Sequence, residues 1–229
     1  MRVYSTDQDE DAGEEGLDVE AGMNRHVCDL LHPDIYPVPD LYLWGSLSGR
    51  RAVPGTYTVR LTAGDVERVA SLEVRKDPRV ETTQAQFVEQ DIFLRGIQNE
   101  LEAMHRGVVQ LGEVRDQVEG ILARIEEDQG DAVARVRTLG SSLADSLTVV
   151  EDSLVQWGTV DGQTVLNAPS RLNLYYVYLH GEVDGADDGL GDAARQVLRD
   201  LNGRWYPLRD RLEVLLDEAI DEFNRAVEE

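Results

Sequence analysis

The feature that most constrains this chain is a long stretch, residues 81–128, that contains no proline and whose apolar side chains recur at steps of three and four. Leu94, Ile97, Leu101, Met104, Val108, Leu111, Val118, Leu122 and Ile125 fall on one stripe, the seam of a helix that packs on another helix. Arg115 interrupts the register, and Val114 beside it covers the gap. Thr82 or Thr83 is the expected cap at its start, and Gln86 stands at capping-box distance from Thr83. At 1.5 Å per residue such a helix would run on the order of 65–70 Å. A stripe of that length needs partners to bury it.

The residues that follow supply them. A second helix is expected over 131–157, where Val136, Leu139, Leu143, Leu147, Val150, Leu154 and Trp157 again step by three and four. Residues 158–169 read as a loop. A short third helix covers 170–184, with Ser170 as its cap. A fourth covers about 190–227, with Leu198, Leu201, Trp205, Leu208, Leu212, Leu215 and Phe223 on one face. Pro207 lies inside it and predicts a kink or a broken hydrogen bond near Gly203. Residues 81–229 are thus expected to form an elongated antiparallel bundle of three to four helices.

Residues 21–77 read as β. Tyr57, Val59 and Leu61 alternate with Thr58, Arg60 and Thr62, and Ala70, Leu72 and Val74 repeat the pattern. Pro54-Gly55 and Ala63-Gly64-Asp65 are turn signals, so 57–63 and 67–75 make a hairpin. Further strand candidates are Asn24 to Leu30 and Leu41 to Trp44. Between them, Pro33, Pro37 and Pro39 withdraw amide donors and mark a connection. The sum is a small antiparallel sandwich, near the lower size limit for independent stability. Asp77-Pro78 is the expected junction, because the residue before proline resists helix. The fold class is therefore α+β multidomain: an acidic, disordered leader at 1–20, a β-sandwich at 21–77 and a helical bundle at 81–229. Asp7, Asp9, Glu10, Asp11, Glu14 and Glu15 crowd the leader, which has little to bury.

Charge narrows the function classes. The 229 residues carry 22 basic and 45 acidic side chains, a net charge of −23. Phosphate would be repelled, so no nucleic-acid partner is expected. No apolar run reaches membrane-spanning length, and the leader lacks the apolar core of a secretion signal. A cytoplasmic location without a membrane partner is the expectation. Lys76 is the sole lysine, every other basic residue being arginine. Abundant carboxylates with almost no lysine resemble the proteins of a salt-loving organism, in which molar salt shortens the screening length to about 3 Å and quenches self-repulsion.

Residues with chemical potential are few. His26, Cys28 and His32, with Asp29 and Asp34 nearby, include types that zinc uses. On a strand, however, His26 and Cys28 share a face, and structural packing with Cys28 as a small buried hydrophobe is the preferred reading. Cys28 as a nucleophile has no evident orienting third group. The lone cysteine excludes an intrachain disulfide. His105 and His180 sit in separate helices as surface or groove residues. Gly45-Ser46-Leu47-Ser48-Gly49 lacks the lysine of a phosphate loop. Tyr175, Tyr176 and Tyr178 form an aromatic cluster, either core or a partner patch. No catalytic, cofactor-binding or metal-binding residue is assigned, and no cofactor is expected.

Three stretches carry a family resemblance. Gly22-Met23-Asn24-Arg25-His26-Val27-Cys28-Asp29-Leu30 resembles a strand of the form GxNRxxWDL, with Cys28 in place of the tryptophan. Ala52-Val53-Pro54-Gly55-Thr56-Tyr57-Thr58-Val59-Arg60-Leu61 resembles the hairpin entry of immunoglobulin-like domains. Leu166-Asn167, Pro169, Arg171-Leu172-Asn173 and Phe223-Asn224 resemble the tail of the same proteins. These are the sortilin-like β-propeller proteins with BNR repeats, described as glycosyl hydrolases. The resemblance implies an immunoglobulin-like domain and a helical region of the kind that follow the propeller. The propeller's own Asp-box repeat is missing from this sequence. What is implied is a non-catalytic accessory or interaction module, not an enzyme, that associates with a separately encoded β-propeller protein or with itself as a homo-oligomer. The alternative is a glycosyl hydrolase-type enzyme, or its subunit, acting with such a propeller.

Overall fold

A computed structural model of the chain describes residues 2–7, 14–158 and 161–228. The fold is mixed α+β, and more than half of the described residues are helical. Two compact units divide the chain. The first comprises residues 1–35, 47–96 and 182–191; the second comprises 36–46, 97–181 and 192–229. Asp77-Pro78 lies inside the first unit, and the long helix contributes residues to both.

In the first unit, β1 (Val3–Ser5) pairs in parallel with β2 (Glu14–Gly16). Both fall in the acidic leader; its residues 8–13, with Asp9, Glu10 and Asp11, lie outside the described residues. Arg2 holds this corner by ion pairs to Glu15 and, at 2.8 Å, to Asp29.

The hairpin is present as β3 (Gly55–Ala63) and β4 (Val66–Val74), antiparallel, with Val59 opposite Ala70. Gly64 occupies the first central position of the two-residue turn at φ 56°, where glycine carries no Cβ penalty. The register places Tyr57, Val59, Leu61, Ala70 and Leu72 on one face, as the alternation predicts, together with Val66 and with Arg68 opposite Leu61. That face is not covered: Val59, Leu61 and Val66 are 52%, 59% and 50% exposed.

The other strand candidates do not pair as a sheet. The stretch from Asn24 to Leu30 carries no ladder, and Leu30 leaves the extended region at φ 62°. Leu41 to Trp44 likewise lies outside any strand and follows Asp40 at φ 59°. In place of a second packed sheet, residues 30–35 run against 47–52 through His32 N to Arg50 O (2.8 Å), Ile35 N to Leu47 O (2.7 Å) and Ala52 N to Leu30 O (2.8 Å). Gly49 permits this approach, since a Cβ there would overlap the His32 carbonyl oxygen.

The helices follow their stripes. α1 (Gln84–Arg124) starts at the predicted capping box: Thr83 N donates to Gln86 Oε1 (2.8 Å) and Gln86 N to Thr83 Oγ1 (3.3 Å). Its 41 residues span about 60 Å. Ile97, Leu101, Met104, Val108, Leu111 and Val118 are buried. In the second unit α2 (Asp131–Leu154) buries Val136, Leu143, Leu147, Val150 and Leu154 and packs on the C-terminal helices. The expected loop after it holds a short helix, α3 (Gly162–Asn167), started by Asp161, whose carboxylate accepts from Thr164 N at 2.8 Å. α4 (Leu172–Asp184) follows.

α5 (Asp192–Val214) continues through Pro207, with Leu201, Trp205 and Leu212 buried. Pro207 has no N–H to give the Gly203 carbonyl, so that bond is absent as expected, and a second irregularity follows at a π segment (Leu215–Ala219), before α6 (Ile220–Glu228). Among the described residues no helix is long and apolar enough to cross a membrane.

Candidate functional site

Two features of the first unit stand out: the uncovered hairpin face and a cleft at the root of the hairpin. The cleft has a volume of about 150 Å³. The turn Arg51–Pro54, the end of β4 with Arg75, Lys76 and Asp77, and one face of α1 enclose it. Val53, Val74, Phe87 and Leu94 make its apolar lining, and Asp91, Asp184, Asp187 and Gln90 its polar lining.

The charges here are ordered by bonds within the unit. Arg51 donates from its backbone N to Asp184 (3.0 Å) and from its guanidinium to Asp187 (2.9 Å) and to the Ala186 carbonyl (3.1 Å). Asp91 accepts from Arg50 (2.5 Å) and from Arg95 one turn on (2.9 Å). Lys76 donates to the carbonyls of Val80 (3.0 Å) and Thr82 (2.8 Å), bracing the entry to α1. Gln90, 5% exposed, donates to the carbonyls of Val183 and Ala186.

Of the sequence candidates, His26, Cys28 and Asp29 gather at one corner around Tyr4 and Arg2, while His32 and Asp34 make separate contacts. His26 packs against Tyr4, with ring centroids 4.2 Å apart. Cys28 is an exposed free thiol, not the buried hydrophobe expected, because the segment around it is not a strand. Asp29 binds Arg2, and Asp34 accepts from Gly49 N at 3.1 Å. His32 stands 3.9 Å from Asp91. Burial, and then Arg50, hold its imidazole below the ordinary histidine range. Among the described residues no three His, Cys, Asp or Glu side chains gather to hold a metal ion.

The two helical histidines are buried, not at the surface. His105 is 0% exposed and its Nδ1 lies 2.6 Å from the Tyr36 carbonyl oxygen. A carbonyl only accepts, so Nδ1 carries the proton and Nε2 is a buried acceptor with no hydrogen-bond partner. Burial lowers its pKa. His180 is 3% exposed. The tyrosines divide. Tyr176 is fully buried, its hydroxyl donating to Asn202 Oδ1 at 2.7 Å and pushed up by burial. Tyr175 and Tyr178 face outward, with the Arg204 guanidinium 5.2 Å from the Tyr175 ring.

Periodicity alone missed an ion pair inside the second unit. Glu151, 1% exposed, receives Arg115, the residue that interrupts the α1 stripe. A hollow of about 20 Å³ lies elsewhere in that unit, lined by Trp44, Gln156, Arg171 and Asn173 among others. No family model matches the chain, and no curated protein or solved structure matches it.

Proposed function

We propose that this chain is a non-catalytic interaction module and that the apolar face of its β3–β4 hairpin docks a separately encoded β-rich protein. The observation that carries this reading is the exposure of Val59, Leu61 and Val66 on a nine-residue pair of strands. A lone two-stranded hairpin is marginal in water. Its uncovered face and free strand edges are what another sheet would pack on or extend. In this reading the hairpin is one half of an immunoglobulin-like sandwich whose second layer the partner supplies. The resemblance of 52–61 to such domains makes a propeller-type protein the partner of choice, and the cytoplasm the shared compartment. A second copy fits less well, because two chains of net charge −23 repel each other until salt screens them. The non-catalytic half of the reading is supported by two observations: among the described residues no three His, Cys, Asp or Glu side chains gather to hold a metal ion, and His32 contacts Asp91 rather than joining His26 and Cys28 at Tyr4.

The test is size-exclusion chromatography with light scattering in concentrated KCl. The chain is run alone and with a sortilin-like β-propeller protein, in native form and with Val59→Lys and Leu61→Lys combined. Both positions are exposed, so the variant keeps its fold. A one-to-one complex that the variant loses supports the proposal. A native chain that ignores the propeller, or a variant that binds it equally well, refutes it.

A further inference from the structure

The outer face of α4 and α5, in the second unit, carries positive charge that the chain itself does not use. Of the arginines on α5, Arg195 lies 4.0 Å from Asp192, Arg199 donates to Gln196 Oε1 at 2.6 Å, and Arg209 lies 3.9 Å from Glu100. Arg204 and Arg211 are exposed and, among the described residues, pair with no carboxylate. They stay so in a chain with 45 acidic side chains to 22 basic ones. Arg204 stacks on Tyr175, its guanidinium 5.2 Å from the ring, so the aromatic face holds it while its N–H groups remain free.

The spacing gives this face a direction. Val197, Arg204 and Arg211 recur at every seventh position of α5 and share one side of it over about 21 Å. The Tyr175–Arg204 contact and the Tyr176–Asn202 hydrogen bond set α4 alongside. Tyr175 and Tyr178, one turn apart, are 40% and 42% exposed, and Val197 is 43% exposed. Asp200, at the edge of the face, accepts from Gln196. Tyrosine and arginine are the residue types that concentrate at the centres of protein interfaces.

Charge and spacing together select the occupant. Arg204 and Arg211 lie about 10 Å apart along the helix axis. Two carboxylates seven residues apart on another helix match that distance and point the same way. On a strand, side chains at that separation are three residues apart and point to opposite faces. A nucleic acid would bring a phosphate at every step, and the net charge of −23 would repel the excess. We propose that this face docks an acidic amphipathic helix of a partner protein. Its two carboxylates accept from Arg204 and Arg211, and its apolar side chains pack on Tyr175, Tyr178 and Val197. The surface belongs to the second unit, so the proposal goes beyond the hairpin reading and stands independently of it.

Fluorescence polarisation on the full chain tests it, in KCl concentrated enough to screen the net charge. The probe is a labelled alanine-rich helix of about 21 residues with Leu, Glu and Glu at successive seventh positions, made in both chain directions. One control peptide carries glutamine for glutamate; the other moves one glutamate off the shared face. The chain variants are Arg204→Gln combined with Arg211→Gln, and Tyr178→Glu. All three positions are exposed, so both variants are expected to melt as the native chain does. The native chain is expected to bind the probe in at least one direction, with both control peptides and both variants weaker by about tenfold or more. No polarisation change at about 1 mM chain would overturn the proposal. Equal binding of either control peptide, or full binding by the variants, would overturn it as well. A native dimer that light scattering finds broken by the double arginine variant would assign the face to a second copy and would also overturn it.

Discussion

Removing Arg115 should damage the second unit far more than removing the Arg115–Glu151 pair together. Glu151 is 1% exposed and its Oε1 is buried with no hydrogen-bond partner, so Arg115 provides its neutralising contact through Oε2. The side chain of Arg115 is 26% exposed and can keep part of its hydration. Arg115→Met leaves a buried carboxylate without a counter-charge, a change that costs about 3–5 kcal/mol. Adding Glu151→Leu removes the stranded charge and restores apolar contact, with an outcome between neutral and roughly 4 kcal/mol stabilising relative to the native pair. At roughly 3 °C per kcal/mol for a unit of this size, the single variant should melt about 9–15 °C lower and the double variant at or above the native temperature. Thermal unfolding followed by circular dichroism measures both, and the double-mutant cycle isolates the coupling. Equal losses in the single and double variants would refute the reasoning, because they would show that packing alone, and not the stranded charge, sets the stability.

Further tests concern the core, the titrating histidine and the salt response. Leu101 and Leu143 are 0% and 4% exposed, so Leu101→Asp or Leu143→Asp should lower stability by more than about 4 kcal/mol, and urea unfolding should show it. His105 is held neutral by burial, so its folded-state pKa lies below the unfolded value of about 6.5. The unfolded chain therefore binds the extra proton first as pH falls. The stability linked to His105 is intact above about pH 6.5 and falls below it, by at most about 1.4 kcal/mol per pH unit for one proton. His105→Gln should flatten the melting-temperature profile between about pH 7 and pH 5, and an unchanged slope would count against the assignment. With a net charge of −23, the melting temperature should rise between ~0.1 M and ~3 M KCl as repulsion is screened. A flat response would contradict adaptation to salt.

The helical part of the fold was legible because burial on a helix leaves a period. Leu101, Leu143 and Trp205 announce themselves by spacing, and each is buried. The Thr83–Gln86 cap was equally readable, being a purely local bond. Arg115 was visible as a break in the stripe, yet its cause lies 36 residues away in Glu151. Glu151 falls between Leu147 and Leu154 on the same helical face, and that placement was the available signal. α3 hid in a stretch with a proline near its end, although Asp161 three residues before Thr164 is a capping signal. The strands were harder. Alternation marked β3 and β4 and their register, but period two says only that a face is apolar, not that the chain covers it. Nothing local foretells the positive φ of Leu30, which ends a plausible strand. The cleft draws on turns near 51 and 76, a face of α1 and the end of α4, so it exists only once tertiary contacts bring them together.

The central claim is that the face carrying Val59, Leu61 and Val66 is a binding surface for another protein. Hydrogen–deuterium exchange across Gly55–Val74, with and without a sortilin-like β-propeller protein, tests it most directly. Strong new protection confined to β3 and β4 is the predicted result; exchange in the hairpin that is the same with and without the partner would contradict it.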